Sequence, residues 1–173
     1  MKSKFSAATF LTMLIFAGCN RELASIATAS VEEIPNDLVI VLERGVCFGA
    51  CPVYKLTISA DGSVEFEGRR FVKEKGIVRT TISQDQLKHL IAEFERAEYF
   101  TLQDRYVGEG DGCSEVWTDS QTVNTSITIA GKTKSVKHYH GCEGPPVLER
   151  LTDLENEIDE VVNSSQWFDE NNQ

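Results

Sequence analysis

Hydrophobic and polar positions change period several times along the chain, and each change marks an element. Leu38 to Leu42 (LVIVL) is apolar on both faces and predicts a buried strand. Val53 to Ser59 alternates, with Tyr54, Leu56 and Ile58 on one face and Lys55 and Thr57 on the other. Ala60-Asp61-Gly62 supplies turn residues, and Val64, Phe66 and Gly68 resume the period of two, so these runs predict a β-hairpin. Ile77 to Ile82 is a fourth strand candidate.

At Ser83 the period lengthens. Ser83 and Gln86 have the spacing of a capping box, and Ile82 and Leu87 that of a hydrophobic staple. Leu87, Leu90, Ile91 and Phe94 then share one helical face, from which His89 points away into solvent. A second hairpin, Thr122 to Ile129 and Lys132 to His140, turns at Ala130-Gly131. The last helix starts near Pro145-Pro146 and carries Val147, Leu148, Leu151, Leu154, Ile158 and Val161 inward. Its acids Glu149, Asp153, Glu155, Glu157, Asp159 and Glu160 are expected on a solvated outer face. Trp167 and Phe168 are expected to fold back onto the core, and residues 169–173 to form a disordered tail. The order ββββ-α-ββ-α predicts an α+β fold over residues 37–168, an antiparallel sheet with two amphipathic helices on one face.

The amino-terminal end reads as an address. Lys2 and Lys4, the apolar run Phe10 to Phe16 and the small pair Ala17-Gly18 make a secretory signal over residues 1–18. Cys19 at the cut resembles a bacterial lipobox cysteine, the residue that is lipidated and becomes the new terminus. Phe16 stands where an aliphatic residue is usual, and ordinary signal cleavage near Ala29 is the alternative. By the same resemblance, Asn20 after the cysteine implies an outer-membrane lipoprotein facing the periplasm. Residues 19–36 lack a sustained core pattern and are expected to form a flexible tether, with Pro35-Asn36-Asp37 as its boundary.

Loss of the two lysines of residues 1–18 would take the formal net charge from −10 to −12. So acidic a domain is repelled by phosphate backbones and anionic headgroups. Nucleic acid is therefore excluded as a partner class. Membrane contact is assigned to the lipid anchor alone, and the expected partner is an unidentified envelope protein or small ligand.

Beyond Cys19, four cysteines remain, an even number that suggests disulfides in an exported protein. Of three possible connectivities, a local Cys47–Cys51 clip together with Cys113–Cys142 is favoured. Both pairs also invite sharper chemistry. Cys47 and Cys51 would be thiol–disulfide exchangers if a helix N-terminus lowered a thiolate pKa, but VYKLTIS after Pro52 reads as strand. The run also looks like the CxxxCP motif of the Sco copper chaperones, whose thioredoxin-like element order differs from the one predicted here. His138, His140 and Cys142 alternate and, with Cys113, would make a Cys2His2 zinc set, which oxidation of the cysteines would abolish. No metal site or cofactor is assigned.

The long connection Asp104 to Gln121 contains three glycines and five acids without the order of an EF-hand loop. Tied down through Cys113, it would bring Trp117 beside His138, Tyr139 and His140, and these four form the candidate binding surface. G-x-S-x-G, P-loop, HExxH and dinucleotide motifs are absent from the sequence, so no enzyme is expected.

The run LERGVCFGACPVY (residues 42–54), followed by Asp61-Gly62 and Glu67-Gly68, resembles a bacterial family of uncharacterised domains, domain-of-unknown-function family 6438. Its members open on a CxGxCPxY motif. Gly131-Lys132-Thr133-Lys134 and Leu151 through Ile158 before Trp167 match in kind, so the resemblance spans roughly residues 38 to 168. It implies an exported or lipid-anchored protein and no particular activity, and it implies the Cys113–Cys142 pairing for some members only. The leading expectation is a disulfide-stabilised binding or structural module of the envelope. The alternative is a periplasmic thiol–disulfide or copper-handling protein acting through Cys47 and Cys51.

Overall fold

Strand β1 (Val39–Arg44) lies at the centre of the sheet, and the chain builds outward from it. β2 (Val53–Ser59), β3 (Ser63–Arg70) and β4 (Gly76–Thr81) add in turn on one side as an antiparallel meander. Helix α1 (Gln84–Arg96) then carries the chain across the sheet to the far edge, where the two-residue β5 (Arg105–Tyr106) pairs with β8. The hairpin of β7 (Thr122–Ile129) and β8 (Lys132–Tyr139) fills the space between, so the order is β4-β3-β2-β1-β7-β8-β5. A second, two-stranded sheet joins β6 (Glu115–Val116) to β9 (Cys142–Glu143), and helix α2 (Val147–Val162) closes the fold.

The computed structural model describes residues 33–168. The expected signal segment, the lipidation position Cys19, most of the expected tether and the tail 169–173 lie outside the described residues. Ile34 and Pro35, inside the stretch read as tether, are half-buried, and the Leu38 amide donates to the Pro35 carbonyl at 3.0 Å. The folded part thus begins before Asp37. Among the described residues, no helix is long and apolar enough to cross a membrane.

The α+β architecture follows from the alternation of the strands. Leu38, Ile40 and Leu42, Tyr54, Leu56 and Ile58, and Val123 and Ile127 all turn to one side and are buried there beneath the two helices. That side also receives Leu87, Leu90 and Phe94 from α1 and Leu148, Leu151, Leu154 and Ile158 from α2. The other face carries Thr57, Glu65, Glu67, Asn124, Ser126 and Lys137 and stays open to solvent, as an antiparallel sheet permits. The mixed character comes from β5 alone, which runs parallel to β8 because α1 delivers the chain from the opposite edge.

The capping box of α1 is complete: Ser83 Oγ accepts from the Gln86 amide, and Gln86 Oε1 accepts from the Ser83 amide. Ile82 and Leu87, the staple pair, are both buried. α2 ends on Asn163 in the left-handed conformation, after which Trp167 and Phe168 turn back. Trp167 stacks on Phe66 with ring centroids 4.5 Å apart, and Phe168 on Tyr54 at 5.0 Å.

Candidate functional site

Chemistry concentrates at the end of the sheet where β1 finishes and β2 starts. In register across the strands, Tyr54, Arg44, Val123 and His138 form one row that faces α2. α2 answers with Glu155 and Asp159, one helical turn apart, and with Asn156 between them. These acids were expected on a solvated face. Instead Glu155 is fully buried and the Asp159 side chain retains 17% of its exposure, so the helix turns two carboxylates toward the core. The physical reason is that polar partners wait for them on the sheet, which makes burial of their charge tolerable.

Asp159 is the hub of the first half of this row. It accepts from Arg44 Nε at 2.7 Å, from the Tyr54 hydroxyl at 2.6 Å and from Ser164 Oγ at 2.6 Å. Arg44 also donates to Asn156 Oδ1 at 3.0 Å. Burial alone would lower the Arg44 pKa, but the adjacent Asp159 charge more than restores it, and the net shift is upward. Burial, reinforced by the same negative charge, pushes the Tyr54 phenol well above its ordinary range. Above this group a cleft of about 570 Å³ opens between Pro52, Asn163, Ser165 and Phe168.

Glu155 is the hub of the second half. Its Oε2 lies 3.2 Å from His138 Nδ1 and 2.7 Å from His140 Nε2, and its Oε1 accepts from Thr125 Oγ1 at 3.5 Å. His138 is buried, while the His140 side chain keeps 24% of its exposure and forms the way in from solvent. Burial pushes the Glu155 pKa up, yet hydrogen bonds and charge from the two histidines win and hold it below the usual carboxylate range.

Both disulfides sit beside this row, joining Cys47 to Cys51 and Cys113 to Cys142. The latter pair is buried and anchors β6 against β9, with Val116 opposite Cys142. Trp117 then donates its amide to the Gly141 carbonyl at 2.7 Å. The approach is so close that a Cβ on Gly141 would stand 2.2 Å from the Trp117 carbonyl oxygen. The Cys47–Cys51 loop is knitted to the same region. Phe48 donates its amide to the Asp119 carbonyl at 3.1 Å, and Gln121 Nε2 donates to the carbonyls of Gly45 and Pro52 at 2.8 and 2.9 Å.

The four residues of the expected binding surface do not share one surface. Trp117 is exposed, and on the same pair of linked loops so are Val46, Phe48 (85% exposed) and Val116. The Tyr139 hydroxyl accepts from the Ser120 amide at 3.1 Å and supports the loop that bears Trp117. His138 and His140 project to the other side, beneath α2. Nor do Cys113 and Cys142 supply thiolates beside these histidines, because they are bonded to each other; the third polar group there is Glu155. His89 is exposed as expected and meets Glu157 Oε1 through Nε2 at 2.8 Å.

Glu155, Asp159 and Phe48 are among the residues that sequence reasoning missed. Helical phase was the available signal for Glu155: it follows Leu151 by four and precedes Ile158 by three, within the apolar stripe.

Taken with the fold, this end of the molecule defines a disulfide-bonded α+β domain with an open-faced sheet and a buried polar row under its last helix. The chain belongs to the family described as Domain of unknown function (DUF6438), whose profile matches residues 38–162. No curated protein matches the chain.

Proposed function

We propose that this protein is an exported lipoprotein of the outer membrane, held by lipid on Cys19 and facing the periplasm, where it serves as a non-enzymatic binding module. The observation that carries the reading is the joining of two disulfide-closed loops at one end of the sheet, with Phe48 and Trp117 presented on them. Two disulfides suit an oxidising compartment, and an aromatic pair on covalently fixed loops has little ordering entropy to lose on meeting a partner. The leader ahead of Cys19 and the acidic surface fit the same location, with the lipid as the only membrane contact. The ligand class favoured is an envelope protein, because the two aromatics project outward rather than line a cavity.

The thiol or copper alternative has less support. Cys51 leads through Pro52 directly into β2, so neither sulfur lies at the N-terminus of a helix that would stabilise a thiolate.

Intact mass of the chain made in an exporting host tests the reading. The expected result is loss of residues 1–18, a lipid adduct that disappears in Cys19→Ser, and no alkylation of Cys47 or Cys51 until strong reduction. An unlipidated chain retained in the cytoplasm would overturn the location. Free thiols at Cys47 and Cys51 that exchange under mild conditions would overturn the binding-module reading in favour of redox chemistry.

A further inference from the structure

We propose that His138, His140 and Glu155 form a binding site for one divalent transition metal ion of the zinc class, with a coordination position left open on the His140 side. His138 Nδ1, His140 Nε2 and a Glu155 carboxylate oxygen all lie within 4.8 Å of one another. Two imidazoles and one carboxylate are a donor set that suits zinc in sites with three protein ligands and an exchangeable fourth.

Both nitrogen-to-carboxylate distances lie near those that such an ion requires. Metal–donor bonds of about 2.0–2.1 Å at tetrahedral angles set donor atoms about 3.3–3.4 Å apart. His138 Nδ1 is already 3.2 Å from Glu155 Oε2. His140 Nε2 is 2.7 Å from the same oxygen, a hydrogen-bond distance that must open by roughly 0.6 Å as the ion takes the proton's place. His140 is the partly exposed member, so it has room to make that adjustment. Ligation requires His138 to carry its proton on Nε2 and His140 on Nδ1, the nitrogens that face away from Glu155.

The surroundings supply the rest of a metal site. Thr125 Oγ1, at 3.5 Å from Glu155 Oε1, stands in the position of an outer partner that orients the carboxylate. Arg44, along the same row, is paired directly with Asp159 rather than with Glu155. β8 carries His138, the turn just beyond it carries His140, whose amide donates to the Gln121 carbonyl at 2.9 Å, and α2 sets the carboxylate opposite them. Two of the three ligands therefore stand on regular elements, and the third is tied down by its backbone hydrogen bond. A buried trio kept only for packing would be served as well by apolar side chains, since burying paired charges yields little net stability.

The test uses the chain from an oxidising compartment with both disulfides formed, stripped with chelator and titrated with Zn2+ alone against a chromophoric competitor. Cobalt(II) absorption then reports the coordination geometry. The expected result is one equivalent bound with a dissociation constant of about 1 µM or tighter. His140→Ala should weaken it by at least about 100-fold and Thr125→Val by about 10-fold. His89→Ala, at the remaining histidine, should change nothing.

Imidazole NMR of the unmutated chain keeps the proposal testable even if His140→Ala fails to fold. One equivalent of Zn2+ should shift His138 and His140 together and leave His89 in place. Absence of saturable uptake, uptake that survives in a folded His140→Ala, or zinc shifts confined to His89 would each overturn the proposal.

Discussion

The two disulfides should differ in what they contribute, and the difference can be worked from where they sit. Cys113 and Cys142 are 29 residues apart and Cys47 and Cys51 only 4, so loop-closure entropy assigns them about 3.6 and about 2 kcal/mol. Burial widens the gap. Cys113 and Cys142 are in the core, where truncation leaves a void, whereas Cys47 and Cys51 are half-buried. Urea denaturation of Cys113→Ala/Cys142→Ala and of Cys47→Ala/Cys51→Ala, each against the oxidised chain, measures both. With a slope of about 1.5–2 kcal/mol per molar urea, the midpoints should fall by about 2 M and about 1 M respectively. The double-pair variant should show the sum, since the bridges close separate loops. Equal losses, or a larger loss at Cys47–Cys51, would refute the reasoning. The short bridge would then act through native contacts that it positions, such as the Gln121 bonds to Gly45 and Pro52, rather than through the unfolded chain.

Asp159→Ala should cost about 3 kcal/mol or more in the same assay, because it leaves Arg44 charged and poorly paired under α2. Tyr54→Phe, which removes one of three donors to Asp159, should cost about 1–2 kcal/mol. Gly141→Ala should cost about 1–3 kcal/mol and raise hydrogen exchange at the Trp117 amide, since the new methyl meets backbone. Gly108→Ala, which meets open space, should be neutral within about 0.5 kcal/mol. Tyr54 and Tyr99 both have phenol pKa values raised first of all by burial, and unfolding frees them to ionise near pH 10. Stability is therefore intact below that pH and falls above it by about 2.7 kcal/mol per pH unit for the pair. Absorbance at alkaline pH should show Tyr54 and Tyr99 ionising only as the chain unfolds, and their ionisation in the folded state would contradict their burial.

Much of the frame was legible because local rules and tertiary packing agree. The alternation at Val53–Ser59 and the Ser83/Gln86 box lead directly to β2 and to the start of α1. β5, β6 and β9 were not legible, for two residues are too few to display a period, and their pairing depends on what α1 and Cys113 deliver to them. Glu155 and Asp159 depart from the solvated face that their charge predicts because their helical phase turns them toward the sheet. Partners that make a buried acid tolerable lie on strands remote in sequence, and Arg44 and His138 become visible as partners only once β1 and β7 are neighbours. The candidate surface was half legible: Trp117 is exposed as expected, but alternation along β8 turns His138 away from Tyr139.

Neither disulfide crosses the line where β1 meets β7. Cys47–Cys51 lies on one side of it in sequence and Cys113–Cys142 on the other, so each can close while the two portions of the chain are still apart. β1 and β7 join only after a loop of about 80 residues has been closed, an entropic cost that neither bridge reduces by spanning it. Oxidation and assembly are thereby separable events. A chain with both bridges formed and its central ladder still unzipped is a permitted folding intermediate, and the β1–β7 amides would report the moment at which it disappears.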